Sequence, residues 1–141
     1  MNGAATIERR PDRTLGPGHD TFWDYCAKGE LRLPQCRACG HLAWPVTTRC
    51  EHCGEAAFDW TPMSGAGKVV SWCSFERDYY RGLLPLPWDT ILVELAEGPL
   101  FVSNPKGFAS GDLIFEMPVR LAFIACQDSA GAFQLPVFEP A

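Results

Sequence analysis

The sequence predicts a mainly β chain, in which a short N-terminal helix and a four-cysteine zinc ribbon precede a five-stranded OB-fold barrel. Three observations carry that prediction. Two CxxC units stand ten residues apart between Cys36 and Cys53, the arrangement of paired metal knuckles. Beyond Pro62 the apolar residues recur with the two-residue period of half-buried strands, and turn residues separate the runs. No long helical pattern is available there to supply the crossovers of a parallel sheet.

Taken in order, Met1 to Gly18 is rich in charge, Pro and Gly and lacks apolar periodicity. Residues 1–19 are therefore expected to form a flexible arm that orders only against a partner. Residues 20–60 are expected to hold the helix and ribbon. Asp20 or Thr21 is placed to cap the helix, Phe22, Trp23, Tyr25 and Cys26 to give its apolar face, and Gly29 to end it. Leu31 to Gln35 leads extended into the cysteines. Residues 61–141 are assigned to the barrel. Its strands are expected at Lys68–Phe75, Thr90–Leu95, Leu100–Ser103, Met117–Cys126 and Phe133–Phe138. The Glu97-Gly98-Pro99 turn joins the second and third as a hairpin.

The cysteine pattern is C-x2-C-x10-C-x2-C, with Gly40 and Gly54 following the two pairs. Each pair folds as a knuckle with both sulfurs turned to one centre, so Cys36, Cys39, Cys50 and Cys53 form a tetrahedral thiolate site. Four protein ligands leave no open coordination position. The ion, expected to be structural Zn2+, serves folding rather than Lewis-acid chemistry. Sulfur ligands alone do not select the metal, and iron in a rubredoxin-like arrangement with electron transfer is the competing reading. His41 and His52 lie beside a sphere already filled, and read as surface residues or hydrogen-bond donors. Cys26, Cys73 and Cys126 fall on a helix face or in strands, where cysteine behaves as a small core hydrophobe.

The formal net charge of −5 disfavours attraction to phosphate backbones, so nucleic acid is not the expected partner. An apolar secretory segment does not accompany the N-terminal arginines, and no stretch approaches the roughly 18 apolar residues of a membrane span. An odd count of seven cysteines, four of them in CxxC units, fits a reducing compartment and a cytoplasmic location. The common nucleotide, protease and hydrolase signatures are missing, and Gly65-Ala66-Gly67-Lys68 enters a strand rather than opening a helix. Asp89, Glu94 and Glu97 read as solvated acids. Apolar and aromatic residues concentrate instead in the loop from Tyr79 to Trp88, where Tyr79, Tyr80, Arg81, Leu83 and Trp88 are the candidate contacts to a partner or to acyl-CoA.

The order of these features resembles the DUF35 family, which joins a rubredoxin-like zinc ribbon to an OB-fold. The resemblance is carried by Phe22-Trp23, Gly29-Glu30-Leu31-Arg32-Leu33, Cys39-Gly40, Trp44-Pro45 and Cys50-Glu51-His52-Cys53-Gly54. It continues through Ser64-Gly65-Ala66-Gly67-Lys68-Val69, Val93 to Gly98, Met117-Pro118-Val119 and Leu135-Pro136-Val137-Phe138. It implies an accessory subunit of a thiolase-superfamily enzyme, whether thiolase, acyltransferase or lipid-transfer-protein-like aldolase of steroid side-chain breakdown. The partner would carry the catalytic residues, and this chain would help enclose the acyl-CoA channel. One departure is Glu116, which stands before Met-Pro-Val where the family commonly has Gly. Two further readings follow from the residues: a single-stranded nucleic-acid-binding zinc-ribbon/OB protein, with Arg32, Arg37 and Arg49 as a local basic patch, and a self-sufficient CoA-dependent enzyme.

Overall fold

Short alternating segments decide what is buried in this chain, and a computed structural model describes the result for residues 7–141. The elements are β1 (Glu8–Arg9), α1 (His19–Ala27), β2 (Arg32–Cys36), β3 (Phe58–Pro62), β4 (Ala66–Phe75), β5 (Trp88–Leu95) and β6 (Leu100–Ser103). A 3-10 turn (Ser110–Asp112), β7 (Met117–Asp128) and β8 (Gly131–Pro140) complete the order. Strands β2 and β3 pair antiparallel as the ribbon, with Cys36 opposite Phe58. The other strands form one sheet in the order β1-β7-β4-β5-β6, with β8 also on β7, curled into a half-barrel.

Alternation sets which side faces in. In β5, Ile91, Val93 and Leu95 are buried, and in β6 Phe101 and Ser103 are. The seam between β6 and β8 is closed at and just past the end of β6, where Ser103 Oγ donates to Pro136 O at 3.0 Å and Lys106 N–H donates to Phe138 O at 2.8 Å. Phe22, Cys26, Leu31 and Leu33 from the helix and ribbon join Val69, Ile91, Val93, Phe101, Val119 and Phe138 in one cluster. Each such aliphatic or aromatic side chain contributes roughly 1.5–3 kcal/mol when fully buried. Helix, ribbon and barrel thus share a core. Strand β3 also runs across the expected boundary at residues 60 and 61.

The helix begins two to three residues earlier than the expected caps, Asp20 or Thr21, would start it. Its N-cap is Gly18, without a side-chain cap, and Asp20 Oδ1 instead accepts the Gly16 N–H at 3.0 Å. A carboxylate one residue inside the helix points back to the entering loop rather than to its own second turn. Gly29 ends the helix at φ 76°, and Glu30 N–H returns to Tyr25 O at 3.0 Å, closing the turn that a left-handed glycine permits.

The arm differs from the loose segment its composition suggests. Residues 1–6 of that segment lie outside the described residues. From residue 8 the chain pairs parallel to β7, with Glu8 opposite Cys126. Arg13 then donates Nε–H and Nη2–H to the two carboxylate oxygens of Asp128, at 2.7 and 3.1 Å, and lies over the Phe133 ring at 4.3 Å. The contacts are polar and cation–π, so apolar periodicity carries no trace of them.

Cys26 and Cys126 are buried, but Cys73 is exposed, because β4 runs past the core and is solvent-facing from Ser71 onward. Burial pushes the Cys26 thiol up to about 12 and also raises Cys126. Both are packed as core groups.

Candidate metal centre and aromatic groove

Two short turns build the cysteine cluster, and they are made alike. In the first, Gly40 N–H donates to Cys36 O and Cys36 N–H to His41 O; in the second, Gly54 N–H donates to Cys50 O and Cys50 N–H to Glu55 O. All four bonds measure 2.8 Å. Gly40 and Gly54 sit at φ 79° and 81°, a conformation that costs glycine little and turns the backbone beneath the sulfurs. β2 delivers Cys36 to this place, and Arg37 N–H, bonded to Ala57 O at 2.9 Å, ties the knuckle to β3.

The four sulfurs of Cys36, Cys39, Cys50 and Cys53 all lie within 4.8 Å of one another, and none is in a disulfide. Cys36 Sγ is 3.5 Å from Cys53 Sγ, and Cys39 Sγ is 3.5 Å from Cys50 Sγ. A tetrahedron with metal–sulfur distances of about 2.3 Å has edges of about 3.8 Å, so these two edges need only lengthen slightly to hold such an ion. Its electrostatics point the same way. The Cys39 N–H lowers the Cys36 thiol to about 7, aided by Ala38 N–H and the neighbouring thiols. Cys53 goes the other way: the Glu55 N–H pulls it down, but contact with the Cys36 sulfur, burial and the two other sulfurs push it up to about 12. Touching thiols cannot all ionise until a cation shares their charge. The cluster is a metal-binding site.

Beside it, His41 and His52 stack with ring centroids 3.7 Å apart, and His41 Nε2 lies 2.9 Å from Glu51 Oε1.

On the barrel, the loop after β4 forms a groove of about 390 Å³. Asp78 fixes the loop by accepting the Tyr80 N–H at 3.0 Å and the Gly82 N–H at 2.7 Å, and Leu84 anchors it in the interior. The structure brings Tyr79, Tyr80 and Trp88 together along the groove, with Phe75 and Leu86. Tyr79 is 65% exposed and Tyr80 50%, so the aromatic faces are offered outward. Arg81 and Leu83 do not line it; Arg81, at φ 51°, is exposed on the turn, and Leu83 is half-buried.

Sequence reasoning missed two walls of the groove, Arg10 and Arg77. Arg10 reaches it from the arm, 4.5 Å above the Trp88 ring, and its Nη1–H donates to Asn104 Oδ1 at 3.4 Å. Asp89 is also more than a solvated acid, since Oδ2 accepts the Ser110 N–H at 2.9 Å and Oδ1 is buried without a protein partner. Glu94 and Glu97 are conventional: Glu94 lies 3.5 Å from Lys68 Nζ, and Glu97 accepts the Ser64 N–H at 2.7 Å. Among the described residues no helix is long and apolar enough to cross a membrane.

Comparison with known proteins follows these two regions. A family model described as the ChsH2 rubredoxin-like zinc ribbon domain matches residues 23–59, and one described as the ChsH2 C-terminal OB-fold domain matches residues 60–123. The chain is 32% identical over 123 residues to a probable enoyl-CoA hydratase alpha subunit of Thermomonospora curvata, covering 86% of this chain and 37% of that protein. It is 31% identical over 70 residues to a DUF35 domain-containing scaffold protein of Pyrococcus furiosus, covering 46% of this chain and 48% of that one. The chain therefore spans less than half the length of either relative. Among solved structures it superposes on a chain of the Ltp2-ChsH2(DUF35) aldolase with a TM-score of 0.80 and 28% identity, over 92% of this chain and 98% of that one. A DUF35 protein of unknown function from Sulfolobus solfataricus, 17% identical with a TM-score of 0.57, shares the fold over 75% of this chain and 78% of its own.

Proposed function

Because the chain belongs to the DUF35 family, in its ChsH2-type union of zinc ribbon and OB-fold, we propose that it is a non-catalytic accessory subunit of an acyl-CoA enzyme. The catalytic residues then lie in a thiolase-like or lipid-transfer-protein-like partner, which this chain binds and stabilises in the cytoplasm. The observation that carries the reading is the superposition, nearly end to end, on the DUF35 chain of an aldolase assembly. The relative named as a hydratase subunit supports the same class of chemistry.

In this proposal Cys36, Cys39, Cys50 and Cys53 hold one structural Zn2+. The ion supplies a rigid four-way crosslink and no open coordination position. We place the arm at residues 1–19, the helix and ribbon at 20–60 and the barrel at 61–141; the adjoining family matches at residues 59 and 60 support that division.

The groove of Tyr79, Tyr80 and Trp88 is the proposed contact with the partner or its acyl-CoA. Arg81 and Leu83 flank it. Exposed aromatics beside arginines are the side chains that dominate binding energy at interfaces. They also suit the border between an acyl chain and its anionic carrier, helping to close the channel.

The test is native capture of the tagged chain from its own cytoplasm, with mass spectrometry and metal analysis of the purified complex. A stoichiometric thiolase-like protein with one zinc per copy of this chain is the expected result. Recovery of the chain alone, or of nucleic acid in its place, would remove the accessory-subunit reading. Trp88→Glu is expected to weaken partner association at least about ten-fold while leaving the metal in place; undiminished association would return the loop to self-packing.

A further inference from the structure

The two knuckles leave three metal-ligating side chains outside the thiolate cluster. Glu51 and His52 are the residues between Cys50 and Cys53, and His41 directly follows Gly40 of the other knuckle. Because the sulfurs of both knuckles converge on one centre, the knuckles lie side by side. One ligand atom from each of His41, Glu51 and His52 lies within 4.8 Å of the others. His41 Nε2 is already 2.9 Å from Glu51 Oε1. A lone His41–Glu51 hydrogen bond would leave His52 free to turn to solvent. Its ring instead lies over that of His41, with 25° between the planes.

We propose that His41, Glu51 and His52 form a second, solvent-facing site for a first-row divalent cation, separate from the thiolate cluster. Two imidazoles and a carboxylate are donors suited to cobalt, nickel, copper or zinc, whereas calcium and magnesium select oxygen ligands. With metal–nitrogen distances of about 2.1 Å, two donors on one ion stand at most about 4.2 Å apart. The trio is thus close to that span, and the rings turn about χ2 to aim their nitrogens inward. Glu51 and His52 are exposed and His41 is half-buried, so packing does not oppose that rotation. Three protein ligands leave positions open for water or for a donor from another molecule, which the closed thiolate site does not. The Cys50–Cys53 knuckle then carries both ions, one on its cysteines and the other on the two residues between them.

The test uses the full chain, first loaded with zinc and then titrated with Co(II), which zinc outcompetes at thiolates. One further equivalent of cobalt is expected, with zinc retained and the weak absorption of nitrogen and oxygen ligands rather than an intense thiolate band. In the unaltered chain the NMR signals of the His41 and His52 rings are expected to shift paramagnetically. His41→Ala, Glu51→Gln and His52→Ala should each lower cobalt affinity by more than the roughly 10–100-fold loss typical of an outer-shell change. Zinc content and circular dichroism should stay unchanged in all three. Absence of a second equivalent, uptake at the expense of zinc, or uptake that leaves both rings unmoved would overturn the site. The ring signals are read whichever metal the cysteines hold, so a failure of the structural-zinc reading shows up separately, in the first metal analysis.

Discussion

Cys53 and Glu116 show how much one side chain decides here. Cys53 touches the Cys36 sulfur and completes the cage, so Cys53→Ser leaves three thiolates around an ion that the fold holds with four. Structural zinc in isolated ribbon peptides is worth roughly 10–16 kcal/mol. Loss of bound metal and of soluble yield is the expected outcome, read by metal analysis of the purified variant; unchanged metal content would count against this ligand set. Glu116 occupies φ 68°, the left-handed region, at the position where the family commonly has Gly. The turn is kept all the same, because Glu116 N–H donates to Val69 O at 2.7 Å and its carboxylate meets Lys68 Nζ at 3.1 Å. A non-glycine residue in this conformation costs roughly 1–2 kcal/mol, partly offset by glycine's larger unfolded entropy. Glu116→Gly should raise stability by about 0.5–1 kcal/mol in chemical denaturation. The cage is legible in the sequence because its ligands are local; the strain is not, because a dihedral angle leaves no compositional mark.

At the scale of elements, the arm is held to the barrel by a charge. Hydrogen bonds from the Arg13 side chain, then from the Arg13 and Ala130 N–H groups, hold the Asp128 carboxyl well below the usual carboxylate range. A carboxylate depressed in the folded state adds stability above its unfolded pKa of about 4, and that contribution is lost as pH falls below this value. The arm should therefore stay docked at neutral pH and loosen only in strong acid, as followed by amide exchange of residues 8–13. Arg13→Ala should free the same residues at neutral pH and cost on the order of 1–2 kcal/mol; unchanged protection would mean that β1 holds itself. All five barrel strands are legible as alternating runs, and α1 as an aromatic face ended by Gly29. Strand β1 is not. It is two charged residues long, and its neighbour Arg13 finds Asp128 115 residues away, beyond any local pattern. Part of the groove is hidden for the same reason, since Arg10 comes to it on that arm.

For the whole molecule, the shared core makes the metal a matter for both halves. Trp44, in the loop between the knuckles, stacks on Phe101 of β6 with centroids 5.4 Å apart and packs tilted against Phe22 of α1 at 4.6 Å. Removing the ion with a strong chelator should therefore change tryptophan fluorescence and lower the melting temperature of the entire chain. Two separate transitions, with the barrel's unmoved, would show that ribbon and barrel fold independently despite their common core. The sequence suggests three consecutive modules because motifs are read one after another. Packing joins them, because Leu31 and Leu33 leave the ribbon to enter the barrel's interior.

The place of Arg10 also bears on synthesis. Residue 10 leaves the ribosome well before β7, the strand beside which it docks. The ribbon closes over short sequence distances and can form early, whereas the arm must wait. A nascent chain can thus carry a finished metal cage before the Arg10 wall of its groove is in place, so that this face of the barrel is completed only once β7 has been made.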